Sequence, residues 1–194
     1  MSSNNPAAVL RLIEEKQLSK PYILAIDGRC ASGKTTLASE LAERLGFAVV
    51  HMDDFYLPFS LRTPERMAEA GGNIDFDRLI DEILKPFSSG ENAVCRPYAC
   101  HENRFLPSIN LNFSSSIILE GSYSCHPRLR SFSAIRIFMD ISAKKQLERI
   151  AVRDPNHVDA YKSTWIPREE YYFESCSVRD ICDMILINLN AVLP

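Results

Sequence analysis

Tyr22-Ile-Leu-Ala-Ile-Asp27-Gly28-Arg29-Cys30-Ala31-Ser32-Gly33-Lys34-Thr35-Thr36 is the stretch whose reading decides the fold. Its first five residues form a short apolar run, rich enough to be a buried strand, that stops at Asp27-Gly28. From Gly28 to Thr35 the chain fits G-x-x-x-x-G-K-[ST] at every fixed position. Beyond Lys34 the apolar residues Leu37, Leu41, Ala42 and Leu45 recur at helical spacing, and Gly46 sits where a helix ends. Phe47 to Met52 then reads as a second strand. Strand, glycine loop, helix, strand is the order that forces a parallel sheet with helices on its faces.

The loop has a direct chemical meaning. Glycines let the backbone curl so that successive N–H groups point at phosphate oxygens, and the helix start adds its positive dipole end. Gly28 to Thr36 is therefore the expected nucleotide-binding segment. Lys34 supplies a point charge to the β- and γ-phosphates, and the Thr35 hydroxyl is a ligand for Mg²⁺. ATP and Mg²⁺ are the cofactors this implies.

Working outward, Ala7 to Gln17 has a helical apolar face. Phe76 to Leu84 and Ala143 to Val152 read as further helices. Strands are expected at Ser116–Leu119, Ala134–Met139 and Met184–Leu189. Pro97 to Phe113 is irregular with a hint of a hairpin, and Asp154 to Pro167 is polar and carries two prolines. No repeat or linker divides the 194 residues. The expectation is one α/β domain over 1–194, a P-loop NTPase three-layer sandwich with a mostly parallel sheet and helices on both faces. An acceptor-side insertion would span about 57–113 and a small lid about 154–167. The helix at Ala7–Gln17 has two candidate supports, the sheet or a second subunit of a homo-oligomer.

Composition narrows the class. Apolar residues make up 46% and charged residues 24%, so the chain can build a core. A net charge of −3 gives no electrostatic footprint for nucleic acid. No apolar run is long enough to span a membrane, and the first residues lack the pattern of a secretory signal. A cytoplasmic address with reduced thiols follows as the expectation for the six cysteines. Cys100-His101 and Cys125-His126 offer four zinc-type ligands, but in a spacing unlike ordinary zinc fingers or ribbons.

Three further features separate the nucleotide-binding classes. His51-Met-Asp53-Asp54-Phe55-Tyr56 follows the second strand, where residues line the crevice of an open parallel sheet. Asp53 there can hold Mg²⁺ and accept the proton of an attacking hydroxyl, while Asp54 can cap a turn. Glu120, ending the apolar run Ile117–Leu119, suits a Mg²⁺ ligand acting through water. Arg149 and Arg153, spaced i, i+4, share a helix face and can neutralise a transferring phosphoryl group. The chain has no N-K-x-D guanine-reading motif and lacks the length of a ring ATPase, which leaves a small phosphotransferase.

These motifs, with Asn73-Ile-Asp75-Phe-Asp77, Arg96-Pro-Tyr98 and Ile137-Phe-Met-Asp140, resemble the uridine kinase family of P-loop kinases, whose cousins are phosphoribulokinase and bacterial pantothenate kinase. The resemblance runs in order from about Tyr22 to Asp154. It implies that Asp53 is the catalytic acid and that Glu120 is the second Mg²⁺ carboxylate. It also implies that Arg149 and Arg153 are lid arginines. On the acceptor side it points to Tyr56 and Tyr98 as aromatics beside a nucleoside, to Asp75 or Asp77 as the carboxylate gripping hydroxyls, and to His101 and Arg104 as acceptor or phosphate contacts. The chain departs from the family at Ala99, where an Asp is common, and at Asp154–Tyr161, where an Arg-Gly-Arg pattern is usual.

The expected activity is transfer of the ATP γ-phosphoryl group to a small-molecule hydroxyl, with uridine or cytidine as the first acceptors. The alternatives are another alcohol, such as pantothenate or a sugar derivative, and a non-catalytic ATP-binding regulator. From the residues alone, the acidic Asp75/Asp77 pair favours a neutral hydroxylated acceptor over an anionic one.

Overall fold

The apolar run at Tyr22 becomes strand β1 (Ile23–Gly28), buried along its whole length in a computed structural model that describes residues 5–112 and 116–188. It is central in a five-stranded sheet ordered β2-β7-β1-β8-β9, with β2 at Ala48–His51, β7 at Ile117–Glu120, β8 at Ser133–Asp140 and β9 at Met184–Ile187. Every pairing in it is parallel. The predicted last strand ends at Ile187, and Leu189 lies outside the described residues.

Side chains of a strand alternate between faces, and the core divides accordingly. Leu24 and Ile26 of β1 join Ile118, Ile137 and Met139 under helices α1 (Asn5–Lys16) and α2 (Lys34–Leu45). Ile23 and Ala25 face the other way, into a cluster with Phe55, Phe76, Leu79 and Tyr172. This is a P-loop NTPase three-layer sandwich. Val9 of α1 is fully buried in the first cluster, so α1 packs within the chain's own core.

The segment between β2 and β7 is an insertion of short pieces. It holds α3 (Pro64–Ala68) and α4 (Phe76–Leu79), which runs through Ile80–Leu84 into α5 (Lys85–Ser88). Two small antiparallel ladders follow, β3 (Ala93–Cys95) with β6 (Ile109–Leu111) and β4 (Tyr98–Ala99) with β5 (Arg104–Phe105). The expected hairpin is thus two ladders, and Phe113 lies outside the described residues.

The polar stretch 154–167, expected as a small lid, is largely helical. After α6 (Ala143–Arg153) and a tight turn at Pro155–His157, α7 (Val158–Ala160) runs through Tyr161–Trp165 into α8 (Ile166–Ser175). The reason lies at Pro167. Its ring conflicts with the carbonyl four residues back, and the helix answers with a widened turn in which the Ile166 N–H reaches the Tyr161 carbonyl. The same device precedes Pro86, where the Lys85 N–H reaches the Ile80 carbonyl. Among the described residues no helix is long and apolar enough to cross a membrane.

Gly28 ends β1 at φ +134°, and a Cβ there would stand 2.0 Å from the Met139 carbonyl oxygen of β8. Gly46, which ends α2 at φ +69°, has nothing within 4 Å of such an atom. Gly28→Ala should therefore cost about 3 kcal/mol or more, against about 1 kcal/mol for Gly46→Ala, in urea unfolding. His126 provides a second check. It stacks on Phe76 at 4.1 Å between ring centroids, and burial, with Arg128 and Arg130 nearby, pushes its pKa down to about 4. Between that value and the usual 6.5 the unfolded chain holds a proton that the fold does not, so His126 makes stability fall as pH drops through the window. Relative to the parent, His126→Phe should be more stable at pH 5 than at pH 8, read as the difference in unfolding midpoint.

Candidate active site

Parallel register brings the functional ends of three strands together. Glu120 of β7 pairs with Ile26 of β1 and with His51 of β2, so the glycine loop, Glu120 and the turn Met52–Phe55 open on one side of the sheet. They border a cleft of about 290 Å³.

The loop is shaped from outside. Gln146 of α6 donates to the Cys30 carbonyl at 3.2 Å, Arg149 to the Ala31 carbonyl at 2.9 Å and Asn188 to the Ser32 carbonyl at 2.7 Å. The Lys34 ammonium donates to the Gly28 and Arg29 carbonyls. With its carbonyls held, the loop leaves the N–H groups of Gly33, Lys34 and Thr35 at the start of α2 without an acceptor among the described residues. That is the arrangement an anion needs. Ala31 and Gly33 accept positive φ to make the curl.

Glu120 is 6% exposed, and its carboxylate takes the Thr35 hydroxyl at 3.1 Å and His51 Nδ1 at 3.0 Å. The hydrogen bond to Glu120 raises the His51 pKa. Asp53 lines the same cleft and is exposed. Beside it, burial above all, followed by the Asp53 charge, holds the Tyr56 phenol well above its usual pKa.

Glu169 and Ser122, neither foreseen, complete the centre. Glu169 of α8 is buried, accepts the Cys30 N–H at 3.0 Å and takes the Ser122 hydroxyl. Burial, reinforced by this Glu169 carboxylate, pushes the Cys30 thiol up to about 12, so it stays protonated.

The predicted residues sort into three groups. Lys34, Thr35, Asp53, Tyr56, His101, Glu120 and Arg153 border the cleft. Arg149 is close by but is directed at the loop carbonyl, while Arg153 donates to the Tyr161 hydroxyl and lies over its ring. Asp75, Asp77, Tyr98 and Arg104 are placed elsewhere. Asp75 caps α4 by accepting the Arg78 N–H at 3.2 Å, a use its position just before a helix invites. Asp77 is exposed and pairs with Arg128. Tyr98 is buried with its hydroxyl on Asn103, and Arg104 pairs with Glu102 on the surface. Asn73, Arg62 and Arg168 border the cleft instead. The zinc alternative gains no support, since among the described residues no group of three metal-type ligands converges.

A scan against protein-family models finds no match. Uridine-cytidine kinase B of Dictyostelium discoideum is 31% identical over 144 residues, covering 69% of this chain and 58% of that protein. Uridine kinase-like protein 3 of Arabidopsis thaliana is 29% identical over 165 residues, 79% of this chain and 34% of that one. The chain thus spans between a third and three-fifths of the length of these two curated relatives. Among solved structures, one titled a possible uridine kinase from Bacillus stearothermophilus superposes with a TM-score of 0.73 at 18% identity, over 94% of this chain and 97% of that one. In sequence the chain fits the uridine kinase family of P-loop kinases, and in fold it matches that solved structure.

Proposed function

We propose that the chain transfers the γ-phosphoryl group of ATP to a hydroxyl of a small molecule. The observation that carries this reading is the convergence on one cleft of an amide-lined loop, Lys34, the Thr35–Glu120 pair and Asp53. The loop amides and Lys34 bind the phosphates, the lysine exchanging its contacts with Gly28 and Arg29 for phosphate oxygens. Thr35, Glu120 and Asp53 offer the hard oxygen donors that suit Mg²⁺, which is ordinarily held by one or two carboxylates together with substrate phosphates. When bound, the ion neutralises phosphate charge. Asp53 takes the proton of the acceptor hydroxyl as that oxygen bonds to the γ-phosphorus. The bond to the bridging oxygen breaks, and its electron pair leaves with ADP. Arg153 offsets the charge on the transferring group. Arg149 acts on the loop, as a positioning residue. The names of the relatives make uridine and cytidine the first acceptors to try.

The test is ADP formation from ATP and Mg²⁺ with a panel of nucleosides, hydroxy acids and sugars. Acceptor-dependent turnover is expected. Asp53→Asn should lower it by about 10²–10⁴-fold while ATP binding stays measurable by calorimetry. Lys34→Ala should lose ATP binding itself. An unchanged rate in Asp53→Asn rules out Asp53 as the base. ATP binding with no acceptor-dependent turnover favours a regulatory nucleotide-binding protein.

A further inference from the structure

The acidic pair that favoured a neutral acceptor does not reach the cleft, and two arginines do. Arg62 and Arg168 both border it. Among the described residues, ion pairs engage Arg29, Arg66, Arg78, Arg104, Arg128 and Arg179. Among the described residues no acidic group lies within ion-pair distance of Arg62 or Arg168.

Arg62 is held in place. Its Nε donates to the Leu57 carbonyl at 2.7 Å, Nη2 lies 3.3 Å from Cys100 Sγ, and the guanidinium stacks 4.3 Å from the Phe59 ring centroid. Arg168 is half-buried on α8, and its charge bears on the neighbouring Tyr123 phenol. The carboxylates that share the cleft are already engaged. Glu120 holds Thr35 and His51, Asp154 holds His157, Glu169 holds the Cys30 N–H and Ser122, and Asp53 interacts with Tyr56. On the reading above, Lys34 and Arg153 serve the ATP phosphates. Two guanidinium groups remain. A neutral acceptor closing on them strips water and returns too few acceptors, whereas a carboxylate or phosphate accepts their paired N–H groups.

We propose that the acceptor is an alcohol bearing a carboxylate or a phosphate group, and that Arg62 and Arg168 bind this oxyanion while the hydroxyl faces Asp53. This rests on the kinase reading and names its substrate class. The experiment measures kcat/KM for ADP formation with matched acceptors: hydroxy acids against their amides, sugar phosphates against the free sugars, and uridine. One anionic arm should exceed its neutral partner at least about tenfold, and which arm does so distinguishes carboxylate from phosphate. Arg168→Gln should raise KM for that acceptor about 10–100-fold, leave KM for ATP unchanged and be partly rescued by Arg168→Lys. Arg62→Gln should act in the same direction; because Arg62 also ties Leu57 to Cys100, Arg168→Gln is the deciding variant. Preference for a neutral alcohol, with no response to Arg168→Gln, overturns the proposal and leaves the kinase standing. No turnover with any acceptor overturns both.

Discussion

Asp27, at the carboxyl end of β1 and out of contact with solvent, accepts N–H bonds from Gly28, Tyr123 and Cys125 and the hydroxyl of Tyr172. Burial pushes its pKa up to about 6 despite these donors, because desolvation disfavours the charged form. The return is geometric. Those donors belong to the start of the glycine loop, to the turn after β7 and to α8. An apolar residue at this position strands several buried donors at once, each at a cost of about 1–3 kcal/mol. By joining the turn to α8, the same carboxylate places Ser122 beside Glu169, and Glu169 on the Cys30 N–H.

The loop's amide-lined shape is therefore not a property of the motif alone. A glycine-rich loop can present carbonyls or amides to the cleft. Here the choice is made by side chains far away in the chain, Gln146, Arg149 and Asn188, each taking one carbonyl. They come from α6 and from the residue after β9, so the loop acquires its polarity only when β8, α6 and β9 have packed. Burial lowers the Arg149 pKa, yet a guanidinium stays charged at any ordinary pH and is well suited to such a contact.

This explains which parts were legible in the sequence. Local patterns carried β1, the loop, α2 and the strand-end acids Asp53 and Glu120, because strand period, glycine spacing and helix caps all act within a few residues. Glu169, Gln146 and Asn188 gave no such signal. Their partners lie 139, 116 and 156 positions away, and only the sheet order brings them together. Asp75 and Asp77 were misplaced for a related reason. An Asp before Phe76 serves equally as a ligand-binding carboxylate or as a helix cap, and α4 takes it as a cap. The helical run through Pro167 was hidden by the ordinary rule that proline stops a helix, which a single widened turn evades.

The two ends of the cleft are built differently. The phosphate end stands on central strands and on loop carbonyls fixed from several directions. The acceptor wall hangs from the insertion after β2, where it is tied by the Tyr56–Ile74 bridge, by Leu57 N–H to the Asn73 carbonyl and by Asp75 N–H to the Phe55 carbonyl. Few of these ties involve the groups that handle phosphate, so side chains such as Arg62 and Asn73 can change without disturbing Lys34, Thr35 or Glu120. On the proposed reading, catalytic charge is set by the sheet, and acceptor charge by the insertion and one face of α8. Under that proposal, such a division lets one fold keep its phosphate end while the side chains of the insertion and of α8 set which alcohol is accepted.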